Sequence, residues 1–259
     1  MSKAPTSAPT GRGVKDISAE CLAQLNTGEP ARNLTECLAV DFAALLQAAA
    51  PQAGAKAVAA MRAQAGLGIS KRMALAAQIL LERQGADAFK QLKTHRSDTV
   101  RGWACFMVGT LPDLTQKQRL AMIRPLADDA HFGVREWAWL AVRPQLAVEL
   151  DAAVQLLLPW TADPSERLRR FASECLRPRG VWCAHIAALK ADPGRALSLL
   201  EPLRADPAVY VQDSVANWLN DASKDQPDWV RGVCARWSKG NPAEATQRIC
   251  KRALRSIGA

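Results

Sequence analysis

Apolar residues in this chain recur three and four positions apart, and runs of β-branched residues are absent. The pattern is clearest in the stretch 166–182. There Leu168, Phe171, Ala172 and Cys175 fall at i, i+3, i+4 and i+7, one apolar stripe on a helix of 3.6 residues per turn. Asp163 is placed to cap this helix and Pro164 to open its first turn, while Pro178 and Gly180 stop it. The segments 41–50, 55–65, 71–83, 116–126 and 147–158 also read as helices. Turn signals such as Thr27-Gly28, Leu111-Pro112-Asp113 and Gly240-Asn241-Pro242 separate helices of roughly 10–17 residues, an ordinary globular length. Residues 1–13 have no periodicity and read as a disordered tail, which leaves 14–259 as a single domain.

A repeat runs through the second half. Val100-Arg101-Gly102-Trp103-Ala104 returns as Val134-Arg135-Glu136-Trp137-Ala138 and again as Leu168-Arg169-Arg170-Phe171-Ala172, two steps of 34 residues each. A fourth copy, Val211-Gln212-Asp213-Ser214-Val215, follows after 43 residues, and the longer step contains the segment 177–182 as an inserted loop. A second apolar helix lies between copies. One helix pair per repeat of this length predicts an all-α fold, a HEAT-like α-solenoid: a superhelical stack of antiparallel helix pairs with a concave basic face. A repeat of this kind cannot bury its stripe alone, so neighbours stack.

Charge adds a direction. The chain carries a net +9, and from Ser165 onward sixteen basic residues face ten acidic ones, so most of the excess lies in the last third. That balance points to a polyanionic partner. The seven cysteines are scattered, with no Cys-x-x-Cys pair, and read as free thiols of a reducing compartment, the cytoplasm. No apolar run reaches the length of a membrane span. No Gly-rich phosphate loop, Ser/His/Asp arrangement or metal-ligand cluster is evident, so no cofactor and no metal are expected. His95, His131 and His185 carry no assignment.

Four groups of residues stand out as candidate chemistry. Glu136 has Phe132, Gly133, Trp139 and Leu140 as its helical neighbours, none of them basic. A carboxylate among aromatics suits an organic cation; the alternative is a solvated surface glutamate. Glu174 has Arg170 at i−4, and Arg170 has Glu166 at i−4. The three either form a surface ladder, or Arg170 orients Glu174 toward a ligand. Arg177-Pro178-Arg179 presents two guanidinium groups from an extended loop, and Arg167, Arg169, Lys224, Arg231, Arg236 and Lys239 either follow a phosphate backbone or are solvated helix ends. All eight tryptophans follow residue 102. Trp103 and Trp137 share the repeat slot of Phe171 and read mainly as packing, whereas Trp139 and Trp182 fall outside it and are the candidates for exposed recognition. Asn217, Asn220 and Asp221 read as cap and turn residues closing the helix over 211–219.

The strings Leu168-Arg169-Arg170-Phe171-Ala172-Ser173-Glu174, Arg177-Pro178-Arg179, Ser214-Val215-Ala216-Asn217 with Leu219-Asn220-Asp221, and His131-Phe132-Gly133-Val134-Arg135-Glu136 resemble the AlkC branch of the AlkC/AlkD family of HEAT-repeat DNA alkylation-repair glycosylases, over roughly residues 15–255. The resemblance implies a monofunctional DNA glycosylase that removes cationic N-alkylated bases, 3-methyladenine and 3-methylcytosine among them, from duplex DNA. It implies excision without full base flipping, by electrostatic stabilisation of an oxocarbenium-like transition state. Glu136 and Glu174, with Arg170 holding Glu174, are then the catalytic set. Trp182, together with Trp137, Trp139 and Trp103, would contact the lesion, and Arg135, Arg167, Arg169, Arg177, Arg179, Asn217 and Lys224 would hold the DNA. Alkylated double-stranded DNA is the implied partner, with no membrane and no required protein partner. Two departures from the family strings are Cys175-Leu176, in place of a small pair, and Gln212-Asp213, in place of basic residues. The alternatives are a non-catalytic HEAT-repeat protein that binds distorted or branched DNA and a protein-binding scaffold.

Overall fold

A computed structural model of the chain describes residues 13–258. Apart from Gly13, the tail expected over 1–13 lies outside the described residues. Among the described residues the secondary structure is helical throughout and contains no strand. The chain packs into two compact units, one up to Ala104 and one from Cys105 onward.

The first unit contains α1 (Ala19–Asn26), α2 (Leu34–Ala39), α3 (Phe42–Ala49), α4 (Ala55–Ala63), α5 (Ile69–Gln84), α6 (Ala88–Leu92) and the start of α7 (Asp98–Thr110). Asp41 is the cap of α3, accepting from the N–H groups of Ala43 and Ala44. Leu45, Leu46, Met73, Leu80 and Trp103 form its core. The Trp103 ring lies 6.0 Å from that of Phe42 and is fully buried, so it is a packing residue and not a contact for DNA.

The second unit contains α8 (Gln116–Ala127), α9 (Phe132–Val148), α10 (Leu150–Leu157), α11 (Glu166–Glu174), α12 (Ala187–Ala191), α13 (Leu197–Leu200), α14 (Val209–Ser223), α15 (Pro227–Trp237) and α16 (Glu244–Ala253). Helices α8, α9, α11, α14 and α16 pack in succession, and their stripes are buried: Val134, Trp137 and Ala138, then Leu168, Phe171 and Ala172, then Val211, Val215 and Ala216, then Ile249 and Ala253. Burying each large side chain stabilises the stack by about 1.5–3 kcal/mol. This is the expected all-α, HEAT-like arrangement of repeated helices.

The repeat has a chemical basis. The side chains of His95, Asp129, Asp163 and Asp206 each accept the backbone N–H two residues on, closing a tight turn before the helix. Six residues after each turn residue, a side chain reaches back to its carbonyl. Arg101 donates to His95 O at 2.7 Å, Arg135 to Asp129 O at 2.8 Å, Arg169 to Asp163 O at 2.9 Å, and Gln212 to Asp206 O at 2.8 Å. Gln212 therefore stands in a structural slot and replaces the arginine there. The cap of α11 is Ser165, not Asp163, because Asp163 spends its carboxylate on the preceding turn. Asn217, Asn220 and Asp221 lie inside α14, which runs on to Ser223 instead of closing near 219. Asn220 is buried and donates to Ala253 O at 3.0 Å, tying α14 to the end of α16.

Candidate functional site

The repeat position directly after the clasp residue is occupied by Glu136 on α9 and by Arg170 on α11. Because α9 and α11 are neighbours, the two side chains meet: Arg170 Nη2 lies 2.7 Å from Glu136 Oε1. The sequence offered Glu136 no basic neighbour three or four positions away on its own helix; its partner comes from the next repeat. The other carboxylate oxygen accepts the indole N–H of Trp139 at 2.9 Å. Trp139 is 4 % exposed, so it is not the exposed recognition residue expected, and it orients Glu136 instead. Trp137 is likewise buried in the stripe.

Arg170 continues to Glu174, 3.7 Å away. Glu174 is buried and takes 2.7 Å and 2.6 Å contacts from Arg177 and the Ser214 hydroxyl. The surface ladder with Glu166 is thereby excluded for Glu174. Burial opposes its charge, but Arg170, Arg177 and Ser214 outweigh it and hold the carboxyl below the ordinary range. Burial likewise works against the charge on Arg170, and Glu174 and Glu136 overcome it and raise the guanidinium. Arg177 passes the chain to Asp221 on α14, at 2.8 Å. Glu136, Arg170, Glu174, Arg177 and Asp221 thus form one line of alternating charge. Of the five, Glu136 is the member that meets solvent most, its side chain 38 % exposed against 4–14 % for the others.

Tyr210, the single tyrosine of the chain, escaped the sequence reading. Its ring lies under the Arg170 guanidinium at 4.4 Å and that of Arg135 at 5.2 Å, and its hydroxyl accepts from Arg135 Nε at 3.0 Å. Only its rarity could have marked it.

The arginines expected to grip phosphate are mostly engaged. Arg169 holds Asp206 with two nitrogens and carbonyls with the third, and Arg177 is buried between Glu174 and Asp221. Arg135 is divided between its turn carbonyls and Tyr210. The extended presentation expected of Arg177-Pro178-Arg179 is not what forms, because Arg179 is paired with Asp225 on both Nε and Nη2. Arg167 donates to Asp128 O, Lys224 lies 3.6 Å from Asp221, and Asn217 accepts from Arg255. Arg167 and Lys224 keep side chains about two-fifths exposed (38 % and 44 %), where an ion pair is worth little and exchanges easily.

Trp182 sits differently. It lies at φ +60°, in the left-handed region, on the loop after α11, and it is 63 % exposed beside exposed Val181. Its loop is tied down on several sides: Ile186 N–H donates to Pro178 O, Trp218 donates to Leu176 O, and Arg179 pairs with Asp225.

Residues 136–253 match the model of the DNA alkylation repair enzyme family. The protein YhaZ of Bacillus subtilis is 38 % identical over 150 residues, 56 % of this chain and 41 % of YhaZ. The Pseudomonas fluorescens alkylpurine DNA glycosylase AlkC, bound to DNA containing an abasic site analog, superposes with a TM-score of 0.68 at 26 % identity. That match covers 96 % of this chain and 65 % of AlkC. AlkD2 of Streptococcus mutans shares the fold at a TM-score of 0.61 and 23 % identity, over 79 % of this chain and 98 % of its own. The chain therefore spans less than two thirds of the length of YhaZ and of the AlkC chain. The whole matched segment contains the charge line from Glu136 to Asp221 and the Trp182 loop.

Proposed function

We propose that this chain is a monofunctional DNA glycosylase that hydrolyses the N-glycosyl bond of cationic N-alkylated bases, 3-methyladenine and 3-methylcytosine, in duplex DNA. The observation that carries the reading is the charge line. Glu136, Glu174 and Asp221 alternate with Arg170 and Arg177, and the line ends in a carboxylate, Glu136, that opens to solvent. AlkC, an alkylpurine DNA glycosylase, is similar to this chain over nearly all of it, and the family match begins at Glu136 itself.

An alkylated base that already bears positive charge is a good leaving group, so no strong general acid is required. What lowers the barrier is a fixed negative charge beside the sugar as it becomes oxocarbenium-like. Glu136 supplies it. Arg170 and the Trp139 indole hold its two oxygens, so little reorganisation is needed as charge develops. Glu174 has both oxygens committed inside the fold and acts as a positioning residue for Arg170. Trp182 meets the DNA at the lesion, which a half-exposed Glu136 on a helix surface can reach without a deep base pocket. Arg167 and Lys224 are the basic side chains of the expected set whose partners phosphate most readily displaces.

The test is incubation of the purified protein with methylated duplex DNA, followed by chromatography of released bases. Release of 3-methyladenine or 3-methylcytosine without strand cleavage is the expected result. Salt-sensitive DNA binding with no released base would overturn the assignment in favour of non-catalytic recognition of distorted DNA.

A further inference from the structure

Arg143 lies on α9, seven residues after Glu136 and therefore on the same helical face two turns on. It is 2 % exposed. Its Nη1 donates to Cys175 O at 2.9 Å, its Nη2 to Arg177 O at 2.6 Å and Ala184 O at 3.2 Å, and its Nε also to Ala184 O at 3.4 Å. Those three carbonyls bracket the loop that carries Trp182, two on the strand of chain leaving α11 and one on the return. Burial pulls the guanidinium below its ordinary range. A buried cation spent on backbone carbonyls is an expensive way to close a loop unless the geometry of that loop matters. On the other side the packing is tight as well: a Cβ added at Gly180 would stand 2.7 Å from Cys183 Sγ and 3.4 Å from the Arg143 guanidinium carbon.

We propose that Arg143 is a positioning residue: its planar fork sets the left-handed tip that carries Trp182, so that one face of α9 fixes both the carboxylate and the aromatic of the site. The role of Trp182 in base release rests on the function proposed above; the hold of Arg143 on the loop does not. Arg143 fills a gap in the sequence pattern, since it is a lone charge in the apolar run Leu140-Ala141-Val142-Arg143-Pro144. A lysine would keep the charge but offers a point donor, not a fork that spans three carbonyls.

The experiment uses the full chain labelled with 5-fluorotryptophan, whose eight ¹⁹F resonances report each indole, with Trp182 identified by Trp182→Phe. Arg143→Met is expected to shift or broaden the Trp182 resonance. It should also lower release of methylated bases by at least tenfold in kcat, with Arg143→Lys recovering only part. In the Arg143→Met/Trp182→Ala pair the losses should not add. Should Arg143→Met fold poorly, Gly180→Ala perturbs the same loop through the Cys183 sulfur, and Gly180→Ala/Cys183→Ala should restore both the resonance and the rate. An unmoved Trp182 resonance in Arg143→Met and in Gly180→Ala would overturn the proposal, as would additive losses in the paired variant. A wild-type chain that releases no base at all would sink the glycosylase reading, while the ¹⁹F comparison would still decide whether Arg143 sets the loop.

Discussion

Trp139 donates its indole N–H to Glu136, 2.9 Å away and one helical turn earlier on α9. The bond makes a buried aromatic the support of the carboxylate proposed to act on the sugar. Glu136→Gln keeps an acceptor for the indole but loses the charge. Base release should fall by about 10²–10³-fold, the usual scale for losing one preorganised electrostatic group, while affinity for abasic-site DNA changes by only a few-fold. Trp139→Phe should lower release by a smaller factor and cost roughly 1 kcal/mol of stability, read by single-turnover kinetics and urea melts. Full activity in Glu136→Gln would remove this carboxylate from the mechanism.

Glu174 predicts a different phenotype. Its loss leaves Arg170 and Arg177 buried with one partner fewer. Glu174→Ala should destabilise the fold by about 3–5 kcal/mol. Thermal melts check this, and a variant as stable as the parent would mean that the pairings contribute little.

The same carboxyl sets an acid limit. Its folded-state pKa lies below the unfolded value, so the stability it contributes is present above the unfolded range, roughly pH 4.3, and is lost as pH falls through the folded value. Unfolding free energy should therefore decline on acidification below about pH 4.3, and Glu174→Gln should flatten that slope. Equal slopes for parent and variant would argue against a depressed Glu174.

Gln212 carries the carbonyl clasp that arginine carries in three other copies. Gln212→Ala leaves the Asp206 carbonyl without this donor and should cost about 1–3 kcal/mol. Gln212→Arg should be close to neutral. Denaturant titrations distinguish the two, and an alanine variant of unchanged midpoint would refute a structural role for the slot.

Arg167 should act on DNA through charge alone. Arg167→Ala is expected to weaken binding similarly for lesion and undamaged duplexes and to reduce the slope of log K against log salt by about 1. A loss confined to lesion DNA would instead place Arg167 at the lesion.

Much of the fold was legible because stacked helices leave a period in the chain: the 34-residue spacing of Trp103, Trp137 and Phe171 is a packing requirement written directly into sequence. The longer step into the copy at Val211 correctly marked a loop. The site was only half legible. Glu136, Arg170 and Glu174 were singled out, and the Arg170–Glu174 pair lies within α11, but Arg170 meets Glu136 across repeats, where helical neighbour rules do not reach. For the same reason the guanidinium groups of Arg169 and Arg177 read as free for phosphate when Asp206 and Asp221, 37 and 44 residues on, already hold them. Trp139 looked exposed because it falls outside the shared slot, although a helix packed on several sides has more than one buried face. Arg143 and Tyr210 make their contacts across similar distances, and the local sequence marks Arg143 only as a lone charge in an apolar run and Tyr210 only by its rarity.

Each turn before a repeat helix is closed by its own residues, the side chain of His95, Asp129, Asp163 or Asp206 in front and an arginine or glutamine six positions behind. The neighbouring position takes no part in that closure. It differs from copy to copy, as Gly102, Glu136, Arg170 and Asp213. Architecture and chemistry thus occupy adjacent letters of the same string, and new reactivity can be written into one without rewriting the other.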